Sequence, residues 1–239
     1  PSSSLPRVKA GRPAPIAVSV EVVQDLSEMS RPLEGYLRRR RVRARTVLSD
    51  GLRTDPYVVD WVERAHHRRD AAAVVLFTPA ASPGGARVLL RRQVRVPLYQ
   101  VLGEPLCLEL VAGLREDDEP WTQCARRETH EEAGLWVDEA DFFELGPPVF
   151  PVPASFTERI VLFGVEVPDL DHAVSGELLP PGDGSPLEAG ADLWVVSLDE
   201  ALALCETAPK TRDDGLFIAD AKTEIGLRRL HARLAREAA

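Results

Sequence analysis

The sequence predicts a globular domain of the α/β or α+β class, and three observations predict it. Short apolar runs of strand length are mixed with stretches of helical period. At 239 residues, with 44% hydrophobic and 28% charged side chains, the chain can bury a core and does not have the make-up of a disordered or fibrous protein. No apolar run approaches the roughly 20 residues that a membrane-spanning helix needs.

The elements follow in order. Residues 1–15, PSSSLPRVKAGRPAP, offer nothing to pack and are expected to form a disordered arm. Residues 16–70 are expected to form a small N-terminal β lobe. Its strands should lie at Val42–Leu48 and Tyr57–Val62, with a turn at Ser49-Asp50-Gly51 between them. At Ala71 the texture changes and the main domain, 71–239, begins. Ala71–Phe77 is a continuous apolar strand that ends in a Pro/Gly turn, and Arg87–Leu90 and Leu106–Ala112 are further strands. Pro120 suits the first position of a helix and Gly134 the residue just past its end. Ile160–Val167 and Asp192–Val196 read as strands. Ser197 and Glu200 have capping-box spacing, so a helix should open there and run to about Cys205. Residues 215–237 show a helical apolar period. Residues 176–190 form a Gly/Pro-rich loop of a length often tied to function.

Charge and cysteine usage narrow the function classes. The net charge is -9, but residues 31–69 hold eleven Arg and five acids. That segment is a solvated strand pair or a surface for small anions, because an acidic protein is a poor binder of nucleic acid. Three widely spaced cysteines fit neither a disulfide framework nor a cysteine zinc site. The opening residues have no apolar signal core, and a cytoplasmic protein is expected, without membrane or nucleic-acid partners. The chain opens on Pro rather than Met, as expected where the true start lies upstream.

The informative segment is 113–135, GLREDDEPWTQCARRETHEEAGL. On a helix, Glu128, Glu131 and Glu132 stand at i, i+3 and i+4, within roughly 100° of one another. Such a face is either a solvated acidic surface beside Arg126 and Arg127, or a site for a hard divalent cation that bridges carboxylates to phosphates. The segment resembles the Nudix box: Gly113, Glu119, Arg127, Glu128, Glu131, Glu132, Gly134 and Leu135 all match. Seven fixed identities at about 6% each recur by chance on the order of once per million chains of this size. The one departure is Thr129, where the family prefers an aliphatic side chain, and a small packing change is expected there.

The resemblance implies an α/β/α sandwich around a mixed sheet, and metal-dependent hydrolysis of nucleoside diphosphates linked to a further group, with Mg2+ or Mn2+ as cofactor. It implies that Glu128 and Glu132 are the main metal ligands, with the carbonyl of Ala112 a further one. Glu131 stands nearby and Arg127 orients the carboxylates. Gly113 is expected to permit a tight turn. Glu109 to Gly113 and Gln93-Val94-Arg95 look like bacterial ADP-ribose pyrophosphatases, which marks Arg95 and Glu109 as substrate-binding. Pro151, 16 residues after the box, and Thr157-Glu158-Arg159 are similar to elements of that group. In it, the N-terminal strands exchange between subunits, so a homodimer is expected. Trp61 in that lobe either stacks on a base or is a half-buried core residue. The apolar Val58 and Val59 depart from the group's usual charged strand. The implied substrate is a nucleoside diphosphate sugar, ADP-ribose first and UDP-glucose or GDP-mannose as alternatives; the other alternative is a non-catalytic nucleotide-sensing domain on the same scaffold, which could do without the box carboxylates. The same subgroup carries a water-activating glutamate on a mobile loop. Here the candidates are Glu188 first, then Glu158, Glu177 and Asp183.

Overall fold

The computed structural model describes residues 35–64, 70–171, 190–209 and 215–239. The expected arm and the candidates Glu177, Asp183 and Glu188 lie outside the described residues. Nine strands and four α-helices are described: β1 (Leu37–Ala44), β2 (Tyr57–Arg64), β3 (Ala71–Thr78), β4 (Arg87–Val94), α1 (Val96–Leu102), β5 (Leu106–Glu109), β6 (Val111–Leu114), α2 (Trp121–Ala133), β7 (Phe143–Glu144), β8 (Ile160–Glu166), β9 (Asp192–Ser197), α3 (Leu198–Cys205) and α4 (Ala221–Glu237).

Strand β3 is the axis of a seven-stranded mixed sheet. It pairs in parallel with β8 and antiparallel with β4 at one end and β6 at the other. Strand β4 continues the sheet to β5 and β9. Seven of the eight residues of β3 are buried, as a strand covered on both faces demands. Its alternation divides two cores. Ala71, Ala73, Val75 and Phe77 face a cluster that contains Leu198, Leu204, Leu227 and Leu230 of α3 and α4. Ala72, Val74 and Leu76 face one that contains Cys124 and Ala125 of α2. The result is three layers, α/β/α, with the period-2 pattern of one strand serving both interfaces.

Strands β1 and β2 form a separate two-stranded antiparallel ribbon, from Leu37 opposite Arg64 to Ala44 opposite Tyr57. The first strand lies earlier than the apolar alternation suggested. A ribbon open to solvent tolerates the run Arg38–Arg41, because side chains on both faces reach water. Residues 48–52 make the turn, where Gly51 has φ +85° and its N–H donates to the Leu48 carbonyl at 2.9 Å.

Three further boundaries differ from expectation. The strand foreseen over 106–112 is two strands, because the chain changes partners at Leu110, from β4 to β3. Helix α1 was not foreseen, although Pro97 in its first turn and Gly103 at its left-handed end are the usual start and stop signals. Helix α4 starts at Ala221, not 215. Leu216, Phe217 and Ile218 are buried in a segment outside any helix or strand, whose Phe217 carbonyl accepts from Leu108 N–H at 3.1 Å. Asp220 caps the helix by accepting from Thr223 N–H at 3.0 Å.

Candidate active site

Helix α2 presents its carboxylates to a cavity of about 650 Å³ at the edge of β6. Its Cys124 and Ala125 are fully buried against the sheet, which turns Glu128 and Glu132 inward, 7% and 4% exposed. Glu131 lines the same cavity. Gly134 ends the helix at φ +70°, donating its N–H to the His130 carbonyl at 2.9 Å. Thr129 is fully buried, and its hydroxyl donates to the Ala125 carbonyl at 2.7 Å, so its one polar atom is satisfied within the helix.

Buried carboxylates need counter-charges. Arg127 supplies one. Its guanidinium donates to Glu119 at 3.0 and 3.1 Å, to Glu128 at 2.6 Å, to Glu131 at 3.0 Å and to the Leu114 carbonyl at 2.9 Å. Burial works against its charge, but Glu119 and Glu128 more than offset this and hold its pKa above the ordinary value. Burial likewise opposes ionisation of Glu119, and Arg127 outweighs it, leaving that carboxyl below its usual range. Glu132 is gripped by Arg91 and accepts from Ala112 N–H at 2.8 Å.

Gly113 plays a different part from the tight turn expected of it. It lies inside β6, opposite Ala72. A β-carbon there would come within 1.9 Å of the Glu128 carboxyl group. The glycine leaves room for a carboxylate to rest on the strand.

The cations of the lining come from distant parts of the chain. Arg95, just past β4, donates two parallel hydrogen bonds to Glu109, 2.6 and 2.8 Å long. Lys222, in the first turn of α4, donates to Glu109 at 2.6 Å and to Asp220 at 2.8 Å. Thr223 ties this turn to the sheet by accepting from Leu110 N–H at 2.9 Å. Burial raises the pKa of Glu109, but Lys222 and Arg95 outweigh it and leave the carboxyl lowered to about 2. Lys222 is held above its ordinary value because Glu109 and Asp220 overcome its burial. At a third edge, Arg64 donates to Glu158 at 2.7 Å and to the Tyr36 hydroxyl at 2.5 Å. All four of these cationic and acidic anchors, Arg95, Lys222, Arg64 and Glu158, line the cavity, as do Tyr36 and Pro151.

The structure therefore brings Arg95, Glu109, Ala112, Arg127, Glu128, Glu131 and Glu132 to one cavity. Trp61 does not join them. It sits in β2 opposite Arg40, half-buried and away from the lining. Tyr36, Arg64, Asp220 and Lys222 were missed. Asp220 and Thr223 carry the spacing of a helix cap, the one local signal for that corner. Nothing local marks Lys222 as facing Glu109.

The donor set suits a hard divalent cation, since carboxylate oxygens and backbone carbonyls on one wall are the groups such ions prefer. Among the described residues, no three His, Cys, Asp or Glu side chains converge as a ready cage, because arginine already engages each box carboxylate. The fit is one of chemistry and of space. Gly113 leaves room for the Glu128 carboxylate in a cavity that Arg95 and Lys222 also line.

Comparison with known proteins bears on the same segment. The sequence model of the NUDIX domain matches residues 67–218. A GDP-mannose pyrophosphatase of Yersinia enterocolitica is 36% identical over 111 residues, which are 45% of this chain and 53% of that protein. One from Pectobacterium atrosepticum is 32% identical over 111 residues, covering 46% of this chain and 53% of that protein. The ADP-ribose pyrophosphatase of Escherichia coli K12 is 42% identical over 77 residues, 32% of this chain and 35% of that protein. The alignments span at most about half the length of these curated relatives. With the family match covering well over half of the chain, and the box residues standing on a strand–loop–helix inside an α/β/α sandwich, the protein belongs to the Nudix family.

Proposed function

We propose that the protein hydrolyses the diphosphate bond of a nucleoside diphosphate sugar, with ADP-ribose the first substrate and AMP and ribose 5-phosphate the products. One observation carries this reading. A single cavity is lined both by the box carboxylates and by Arg95 and Lys222, the two kinds of group an anhydride between two phosphates requires. The names of the matched relatives, pyrophosphatases of GDP-mannose and ADP-ribose, support the substrate class.

Glu128 and Glu132 would hold the cation, Mg2+ or Mn2+, with the Ala112 carbonyl beside them and Glu131 adjacent. When bound, the cation offsets phosphate charge and lowers the pKa of water. Arg127 orients the acidic side chains through the bonds described above. Arg95 binds substrate. Glu188 is the proposed group that takes the proton from the attacking water, with Glu158, Glu177 and Asp183 as the other candidates. Water adds across the P–O–P bridge, its oxygen bonding to one phosphorus while the bridging oxygen leaves with the other.

A homodimer accompanies this reading. The β1–β2 ribbon exposes Val42, Val47, Leu48, Leu52, Tyr57 and Val58, each 41–64% accessible. A two-stranded ribbon is marginal alone, and a patch of this kind marks an interface. The test of function is a substrate panel at fixed Mg2+, with ADP-ribose, UDP-glucose, GDP-mannose, NADH, diadenosine polyphosphates and coenzyme A resolved by product chromatography. ADP-ribose should show the highest kcat/KM. Cleavage of none of these compounds overturns the reading.

A further inference from the structure

We propose that Glu109 is a positioning residue rather than a substrate contact. By gripping Arg95 and Lys222 together, it sets a two-cation clamp for the diphosphate of the substrate. The inference rests on the proposed function and deepens it. Its first support is the exposure of each group. The Glu109 side chain is 5% exposed, whereas that of Arg95 is 40% exposed. Lys222 is 13% exposed, so the carboxylate is the least accessible of three groups that all line the cavity.

The second support is valence. One Glu109 oxygen accepts from Arg95 Nε, and the other accepts from both Arg95 Nη2 and Lys222 Nζ. These are charge-assisted bonds at short length, and they take three of the roughly four acceptor positions of the carboxylate. The cations keep donors to spend. A guanidinium has five N–H groups and an ammonium three, and the bonds to Glu109 and Asp220 use two of each.

The third support is connectivity. Lys222 and Asp220 lie beyond residue 218, where the family match ends, and are 113 and 111 positions from Glu109 along the chain. Asp220 caps α4 and holds Lys222, Thr223 anchors that turn to Leu110, and Glu109 is the neighbour of Leu110 in the chain. One carboxylate thus joins the end of β4, the β5 edge and the C-terminal helix. Without it, two like charges that now share one oxygen would repel, and Asp220 would keep Lys222 while Arg95 took up its other rotamers.

The experiment compares Glu109→Gln, Arg95→Gln and Lys222→Gln, and Glu109→Gln placed in the Arg95→Gln/Lys222→Gln background. Steady-state kinetics on ADP-ribose and calorimetric binding of ADP are the two readouts. Glu109→Gln should raise KM about tenfold and weaken ADP to a similar degree, with kcat within about threefold of the parent. In the background without both cations it should change ADP affinity by less than twofold, because it acts only through them. Should that background not fold, the effect must still shrink in either single background. A full tenfold loss of ADP affinity there would put Glu109 on the ligand and overturn the proposal, as would unchanged KM and ADP affinity for the single variant. If the parent cleaves no compound of the panel, the functional reading fails, and the ADP series still decides the clamp.

Discussion

The two walls of the cavity are built on opposite plans. The acidic wall comes from one run of chain, residues 112–132, in which a strand and a helix lie side by side and Arg127 ties Glu119, Glu128 and Glu131 together. The cationic wall comes from three elements, with Arg95 and Lys222 meeting only at Glu109. A helix brings i, i+3 and i+4 to one face by its own geometry, so the acidic wall needs α2 packed on β6, with Arg91 of β4 on Glu132. The cationic wall needs the whole sheet and the docking of α4. Changes to the first should therefore strike chemistry at constant fold, whereas changes to the second should strike binding and stability together.

The sharpest break falls on the acidic wall. Glu128→Gln and Glu132→Gln should each cut turnover at least about a hundredfold, because the negative charge that would hold a cation against the substrate is lost. Circular dichroism and a thermal melt check that the fold persists. Near-normal turnover in both variants at saturating Mg2+ would remove the proposed role of the box.

Gly113→Ala comes next. The new methyl group would meet the Glu128 carboxyl group at 1.9–2.1 Å, and that group is the far end of a flexible side chain. The carboxylate can swing away, so the melting temperature should shift little while turnover falls about tenfold or more, given the sensitivity of catalysis to misplacement of about 1 Å. A large loss of stability with normal activity in the surviving fraction would show that the strand, not the carboxylate, depends on this glycine.

The cationic wall predicts an acid dependence. Glu109 has its pKa lowered to about 2 from an ordinary 4.5, so the native state binds its proton less readily than the unfolded chain. Its contribution to stability is complete above about pH 4.5 and is lost as pH falls toward 2. Glu109→Gln should lower the melting temperature at pH 7 and flatten its decline between pH 5 and about 3 relative to the parent. Parallel curves for the two proteins would mean that the carboxylate contributes nothing through its charge.

The smallest effect belongs to Thr129. Replacing it with valine removes a hydroxyl whose bond is made within the helix. Stability should change by less than about 1 kcal/mol, with kcat and KM unchanged, as denaturant melts and steady-state rates would show.

Much of the acidic wall was legible in the residues themselves. The spacing of three glutamates, Gly134 as the stop and Pro120 near the start placed α2 to within a residue. The apolar run 71–77 marked the central strand. Local order misled where one pattern served two structures. Phe217, Ile218 and Ala221 fit a helical period, yet the first two are buried ahead of the helix, with the Phe217 carbonyl bonded to Leu108 of β5. Gly113 carried the box identity but not its reason, since its steric conflict is with a side chain fifteen positions on.

By itself, the sequence determined what depends on short-range periodicity and residue chemistry: the helix that carries the box, the strand buried on both faces, the class of cation its oxygens suit, and the family. Tertiary structure alone decided the partners of those groups. Arg91 reaches Glu132 from β4, Lys222 reaches Glu109 across 113 residues, and Arg64 brings the N-terminal ribbon to Glu158. Strand neighbours and helix docking are set by the burial of two faces of one sheet, a property of the whole chain. A charge pair that depends on that docking leaves no periodic trace along the sequence.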